Sequence, residues 1–312
     1  MNEVSRKILE QVNSVIIGKE AVTEKVLMAV LAQGHVLLED VPGVGKTTMA
    51  LAFARTLGLD SRRVQFTSDT MPSDIIGFSL YNKETGSFDY KSGAVMTNLL
   101  LADEINRTSS KTQSALLEAM EEYQVTVDGH TYPLPKPFVV LATQNPVGSA
   151  GTQLLPSSQL DRFMIRTTMG YPDRQSQVDI LRERHHENPL DRLQGVVTCE
   201  ELLELIESAK QVYIADAVYD YIVDLVDATR SSELVELGVS PRGALALCRM
   251  AKAHAFVRGG DFVTPEDVYQ VFDDVCAHRL VLSAKARLGK ITAREITEQL
   301  RQQVPVPQVA QL

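Results

Sequence analysis

The stretch His35-Val-Leu-Leu-Glu-Asp-Val-Pro-Gly-Val-Gly-Lys-Thr-Thr48 constrains the fold of this chain more than any other. Val36 to Leu38 is an apolar run short enough for a buried strand, and Pro42, Gly43 and Gly45 mark a loop. A helix is expected from Lys46, with Ala50, Phe53, Ala54 and Leu57 on one buried face. Strand, glycine loop and Gly-Lys-Thr at a helix start form a phosphate-binding loop spanning Pro42, Gly43, Val44, Gly45, Lys46, Thr47 and Thr48. Glycines let backbone N–H groups close around phosphate oxygens, and the helix start adds unpaired donors and positive dipole character. Lys46 would reach the β- and γ-phosphates as a point charge, and the Thr47 hydroxyl would ligate Mg²⁺. Asp40 stands where the usual pattern has its first glycine. Aspartate tolerates unusual backbone angles better than most residues, so the expectation of a nucleotide-phosphate site stands.

The second informative stretch is Asn98-Leu-Leu-Leu-Ala-Asp-Glu-Ile-Asn-Arg107, an apolar strand ending in adjacent carboxylates 57 residues after Lys46. An aspartate at such a strand tip can hold Mg²⁺, and the neighbouring glutamate can orient or deprotonate an attacking water. Asp103 and Glu104 are therefore read as the metal and water carboxylates. Pro137 to Thr143 is a further buried strand that delivers Gln144-Asn145-Pro146. Asn145 is placed to bond a γ-phosphate or the attacking water, although by itself an Asn before Pro is more often a turn residue. Arg162, before a strand expected over Met164–Met169, reads by itself as a surface or ion-pair residue.

The remaining segments fill in the organisation. Helices are expected over 3–13 and 20–33, with the apolar turn Ser14-Val-Ile-Ile-Gly-Lys19 between them, and a short strand over Arg63–Thr67. Phe78–Tyr81 and Phe88–Lys91 are expected to pair across a loop rich in turn formers. Ser109–Glu122 reads as a helix, and Gln124–Tyr132 as a hairpin because Asp128-Gly129 suits a type I′ turn. Beyond a linker at Tyr171-Pro-Asp173 the chain reads as helical to near its end. Thr198-x-x-Glu201 and Thr264-Pro-Glu-Asp267 are helix starts, and Ser240-Pro-Arg-Gly243 opens a helix with Arg242 in its first turn. His185-His186 lacks companions at ligand spacing and reads as a solvated helix end, and the tail after Gln303 as extended.

A length of 312 residues suggests one large or two unequal domains, and 44% hydrophobic with 23% charged residues describes an ordinary globular chain. No run of eighteen apolar residues is present, and the N-terminus lacks a signal-peptide core. Three widely spaced cysteines, Cys199, Cys248 and Cys276, read as small hydrophobes of a reducing compartment, so a cytoplasmic location is expected. The net charge of −9 argues against broad attachment to nucleic acid.

With Pro42-Gly-Val-Gly-Lys-Thr47, Leu101-Ala-Asp-Glu-Ile-Asn-Arg107, Ala142-Thr-Gln-Asn-Pro146 and Ser240-Pro-Arg242 in register, the chain resembles an AAA+ ATPase. More narrowly, Gln65-Phe-Thr-Ser-Asp-Thr-Met-Pro-Ser-Asp-Ile-Ile-Gly77 and Asp103-Glu-Ile-Asn-Arg107 resemble the MoxR family, from about Ser14 to about Gly289. The resemblance implies an α/β P-loop core with a five-stranded parallel sheet over 1–170, β-hairpin insertions, and a helical lid domain over 171–312. It makes Lys46 and Thr47 the Walker A residues, Asp103 and Glu104 Walker B, Asn145 sensor 1, Arg162 an arginine finger and Arg242 sensor 2, coupling lid closure to the γ-phosphate. Ile17 and Gly18 would lie near the adenine. ATP and Mg²⁺ are the implied ligands, and a ring, usually a hexamer, the implied assembly. Partners with a von Willebrand factor A domain and a remodelled protein substrate are also implied. Rival readings are a nucleic-acid motor or loader, and a chelatase-like subunit. Against the first, the tip Asp128-Gly-His130 offers no Lys, Arg or aromatic pair.

Overall fold

A computed structural model of the chain describes residues 1–41, 43–145, 155–183 and 189–307. Pro42, Pro146 and the His185-His186 pair lie outside the described residues.

The chain opens with α1 (Glu3–Asn13), capped by the Asn2 side chain, which accepts from the Val4 and Ser5 N–H groups. Then follow α2 (Glu20–Leu31), β1 (Val36–Glu39), α3 (Lys46–Thr56), β2 (Ser61–Gln65), α4 (Pro72–Ile76), β3 (Gly77–Asn82) and β4 (Ser87–Ser92). β5 (Leu99–Asp103), α5 (Ser110–Glu122), β6 (Gln124–Val127), β7 (His130–Pro133), β8 (Val139–Gln144), α6 (Ser157–Leu160) and β9 (Ile165–Thr167) complete the α/β part. Five of these strands form one parallel sheet in the order β2–β5–β8–β1–β9. β5 and β8 are buried throughout, which is why both read as continuous apolar runs: helices cover both faces of such a sheet. Because the strands are parallel, the ends of β1, β5 and β8 meet at one side of the sheet. The start of β9 lies at the other.

Both hairpins form. β3 pairs with β4 in the register Phe78↔Lys91, and β6 pairs with β7 across Asp128 and Gly129, whose φ values of 48° and 80° meet the demand of a type I′ turn. Tyr90 of the first hairpin stacks on Tyr132 of the second, with centroids 3.9 Å apart. The strand expected over 63–67 instead begins at Ser61. It is an edge strand with Ser61, Arg62, Arg63 and Gln65 exposed, so it carries no apolar alternation to mark its start. β9 is likewise shorter than the expected 164–169, because the chain turns at Met169 and Gly170 to bond Asp40.

After β9 come α7 (Arg174–Glu183), α8 (Cys199–Lys210), α9 (Asp216–Ser231), β10 (Val235–Leu237), α10 (Pro241–Arg258), α11 (Pro265–Cys276), β11 (Val281–Leu282), α12 (Ala284–Leu288) and α13 (Ala293–Gln303). The capping boxes at Thr198/Glu201 and Thr264/Asp267 are both made, so α8 and α11 start where the sequence places them. The β10–β11 pairing is an addition to the all-helical expectation. This part is not packed separately from the first. One apolar cluster runs from Ile8, Val12 and Val26 through Phe53 to Tyr221, Leu247 and Phe272, joining α1, α2 and α3 to α9, α10 and α11. Of the cysteines, Cys276 is fully buried, while Cys199 and Cys248 are only partly so.

Candidate active site

The ends of β1, β5 and β8 bring together groups far apart in sequence. A cleft of about 380 Å³ is lined by Gly43, Gly45, Lys46, Thr47, Thr48, Arg63, Gln65, Asp103 and Glu104. That volume falls within the roughly 300–1,000 Å³ of small-molecule sites. Gly43 and Gly45 have φ of 87° and 99°, and a Cβ on Gly43 would meet nothing within 4 Å, so the loop leaves an open backbone cradle in front of α3. Val44 packs against the apolar cluster behind it. Lys46 is 7% exposed and donates to the Asp40 carbonyl at 2.8 Å. Burial lowers its pKa, opposed by the charges of Asp103, Asp40 and Glu104, so three anions hold this ammonium in place.

Asp40 is explained by its side chain rather than by its backbone, which is not in the left-handed region. Its buried carboxylate accepts from the Met169 and Gly170 N–H groups, tying the phosphate loop to the chain leaving β9. Glycine would lose both bonds. The same leaving segment reaches the turn before α2: Lys19 donates to the Tyr171 carbonyl at 2.8 Å, and a Cβ on Gly18 (φ 71°) would collide with the Ser176 hydroxyl. Ile17 and Gly18 are thus linked to the phosphate loop through 169–176.

The carboxylates occupy distinct settings. Asp103 Oδ1 accepts from the Thr143 hydroxyl at 2.5 Å, and Oδ2 accepts from Arg63 at 2.8 Å. Glu104 Oε1 accepts from Asn145 Nδ2 at 3.0 Å, and Oε2 from Arg107 at 2.8 Å. Burial pushes the Glu104 pKa up, but the Arg107 and Asn145 hydrogen bonds outweigh it, and the net shift is downward. Asn145 Oδ1 is buried and, among the described residues, without a partner, an orphaned acceptor beside Glu104. The hydroxyl of Thr47 and the carboxylate of Asp103 are hard oxygen donors of the kind Mg²⁺ prefers, so the residues present fit that ion.

Arg162 and Arg242 are elsewhere. Both face Glu121 at the end of α5, and both line a cavity of about 170 Å³ with Asp161, Arg249 and Arg279. Arg242, expected to couple lid closure to the γ-phosphate, does not line the phosphate-loop cleft of its own chain and stands beside Arg162 instead. The lid is docked at the start of β9, not over the phosphate loop. Ser240, the cap of α10, donates to Asp161 at 3.0 Å, and Arg279 donates to Asp161 at 2.8 Å and to the Phe163 carbonyl at 2.6 Å. The two arginines near the end of β5 are both engaged, Arg63 by Asp103 and Arg107 by Glu104.

Sequence reading missed Arg63, Thr143, Glu121 and Asp161. Arg63 and Gln65 stand two apart on an edge strand and so share one face, a usable signal once the strand's position is known. Nothing local marks the other three.

Comparison with known proteins gives the family. Residues 35–165 match the model described as ATPase family associated with various cellular activities (AAA), and residues 227–300 match the AAA lid domain. The chain is 46% identical to the uncharacterized protein YeaC of Bacillus subtilis, over 96% of this chain and 94% of that one. It is 40% identical to Chaperone MoxR1 of Mycobacterium tuberculosis, over 99% of this chain and 84% of that one. A crystal structure of a candidate ATPase from Cytophaga hutchinsonii superposes with a TM-score of 0.90 at 39% identity, covering 97% of this chain and 94% of that one. On that likeness, and on the sheet and lid that carry it, the chain belongs to the MoxR family of AAA+ ATPases, ATP-driven motors of the chaperone type.

Proposed function

We propose that this chain hydrolyses ATP to ADP and phosphate with Mg²⁺ at the β1/β5/β8 end of the sheet, and that each site is completed by arginines of a second copy in a ring, six-membered as is usual in the family. The observation that carries this reading is a separation. Lys46, Thr47, Asp103, Glu104 and Asn145 converge at one end of the sheet, whereas Arg162 and Arg242 stand together at the other. That separation supports arginines that act on a neighbour's phosphate loop rather than on their own.

Thr47 and Asp103 would hold Mg²⁺, which when bound supplies charge neutralisation across the β- and γ-phosphates. Lys46 exchanges the Asp40 carbonyl for phosphate oxygens. Glu104 is ionised near neutral pH and exchanges Arg107 for the attacking water, which it orients and deprotonates. Asn145, whose Nδ2 donates to Glu104 Oε1, would align that carboxylate with the same water. Gly43, Val44, Gly45 and Thr48, with Pro42 outside the described residues, would cradle the phosphates, and Ile17 and Gly18 would border the adenine. Arg162, with Arg242 beside it, would offset the charge that develops in the neighbour's transition state. The catalytic core is assigned to 1–170 and the lid to 171–312, and the substrate is read as a cytoplasmic protein or protein complex, engaged with a partner bearing a von Willebrand factor A domain.

The test is mixing. Lys46→Ala subunits, dead in their own site but carrying Arg162, are combined with Arg162→Ala subunits. Neither parent should turn over ATP, and the mixture should, because an Arg162→Ala site beside a Lys46→Ala neighbour has every group. An arginine supplied in trans is worth roughly 10³–10⁵ in rate in well-studied cases, so the gain is easily read. A silent mixture of variants that demonstrably co-assemble overturns the reading.

A further inference from the structure

Arg162 and Arg242 come from separate parts of the chain, one just before β9 and one in the first turn of α10, yet they meet on a single carboxylate. Glu121 Oε2 stands 3.2 Å from Arg162 Nε, and Glu121 Oε1 is in contact with Arg242 Nη2. All three side chains are partly exposed, at 29%, 42% and 32% for Arg162, Arg242 and Glu121, so the group is reachable from outside. The Arg162 contact is an ion pair without hydrogen-bond geometry, and its buried Nε has no hydrogen-bond partner among the described residues. Asp161, the carboxylate that shares their cavity, is engaged by Arg279 and Ser240. Two guanidinium groups this close repel each other unless an anion lies between them. Glu121 is that anion in the free chain: among the described residues it alone is paired with both arginines, while Glu118 and Glu122 line the cavity on the far side of Arg162.

We infer that Glu121 is a positioning residue that aims Arg162 and Arg242 together at the triphosphate bound by a second copy of this chain. This rests on the trans reading of Arg162 given above. Its position in α5 suits the task. The helix is fixed at its start by Ser109, which accepts from the Thr112 N–H, and along its length by the buried Leu116, Leu117 and Met120. Glu121 therefore projects from a rigid element, while each arginine is a long side chain with much rotamer freedom to lose. Anchoring both to one fixed carboxylate removes that freedom before the neighbour's nucleotide arrives, which is where preorganisation contributes to rate.

The inference makes Glu121 act on the neighbour's site and not on its own, and the mixing experiment reads that distinction. Glu121→Ala should lower turnover about ten- to hundredfold, short of the roughly 10³-fold or greater loss expected for Arg162→Ala. Affinity for a fluorescent ATP analogue should be unchanged. Glu121→Gln, which keeps an acceptor but no charge, should lose less. Adding Lys46→Ala subunits to Glu121→Ala should restore turnover, and adding Arg162→Ala subunits should not. If Glu121 served its own site, the pattern would invert: Arg162→Ala would complement and Lys46→Ala would not. A rise in turnover of Glu121→Ala would also overturn the inference, since the residue would then restrain the arginines. Glu121→Gln takes the place of the alanine variant in every arm if the latter does not co-assemble. Arg162→Ala with Lys46→Ala is the control: its silence would sink the trans reading, whereas recovery there with the inverted Glu121 pattern would sink this inference alone.

Discussion

At Glu104 the backbone is left-handed, with φ 57° and ψ 47°, a conformation that costs a non-glycine residue about 1–3 kcal/mol. It persists because the Glu104 N–H donates to the Thr143 hydroxyl at 2.9 Å, while that hydroxyl donates to Asp103. One threonine on β8 therefore sets both carboxylates: it orients Asp103 and turns the chain so that Glu104 faces Asn145. Lys46 and Glu104 should separate cleanly under mutation. Lys46→Ala should abolish binding of a fluorescent ATP analogue, since no other cation of the phosphate loop replaces its charge. Glu104→Gln should bind the analogue within a few-fold of wild type and turn over at least about 10²-fold more slowly, because an amide fills the space but cannot take a proton. Near wild-type turnover by the glutamine variant would remove Glu104 from its role.

Between elements, the contact that decides most is that of the lid with the start of β9. Arg279 is 2% exposed in its side chain and makes bonds to the Asp161 carboxylate and to the Phe163, Met164 and Val275 carbonyls. It thereby joins the end of α11 to the loop that carries Arg162. Removing one member of such a buried pair costs roughly 3–5 kcal/mol, because the partner's charge is left uncompensated. Arg279→Ala should lower the unfolding free energy by that amount, read by circular dichroism as a lower denaturant midpoint with the slope unchanged. Arg279→Lys should recover little of it, since an ammonium cannot reproduce the planar fork. An unfolding free energy within about 0.5 kcal/mol of wild type would show that the lid is held by its apolar packing alone.

Across the whole molecule, the charge bears on the nucleic-acid reading. The net charge is −9, and no helix among the described residues is long and apolar enough to cross a membrane. The tip of the β6–β7 hairpin carries Asp128, Gly129 and His130, with no Lys or Arg to meet a phosphate backbone. The β3–β4 hairpin instead exposes Phe78, Leu80, Tyr81 and Phe88. A protein neutralising several phosphates loses affinity steeply with salt. Titration with duplex and single-stranded DNA near physiological salt should therefore give no binding at micromolar protein and no stimulation of turnover. Tight binding with stimulation would restore the nucleic-acid motor as the better reading.

What the residues determine by themselves is local. The phosphate loop, the strand ending in Asp103-Glu104, the Asp128-Gly129 turn and the caps at Thr198, Ser240 and Thr264 each depend on a few adjacent residues, and each forms where the sequence places it. Their physics is that of backbone angles, helix ends and buried strands, which act within a turn or two. The tertiary structure decided the rest. Asp40 meets Met169 across 129 positions, Arg63 meets Asp103 across 40, and Glu121 meets Arg242 across 121. Such encounters follow from the strand order β2–β5–β8–β1–β9 and from where α10 docks, and no periodicity records either. That is why Arg242 was legible as a special arginine at a helix start, while the end of the sheet it faces was not.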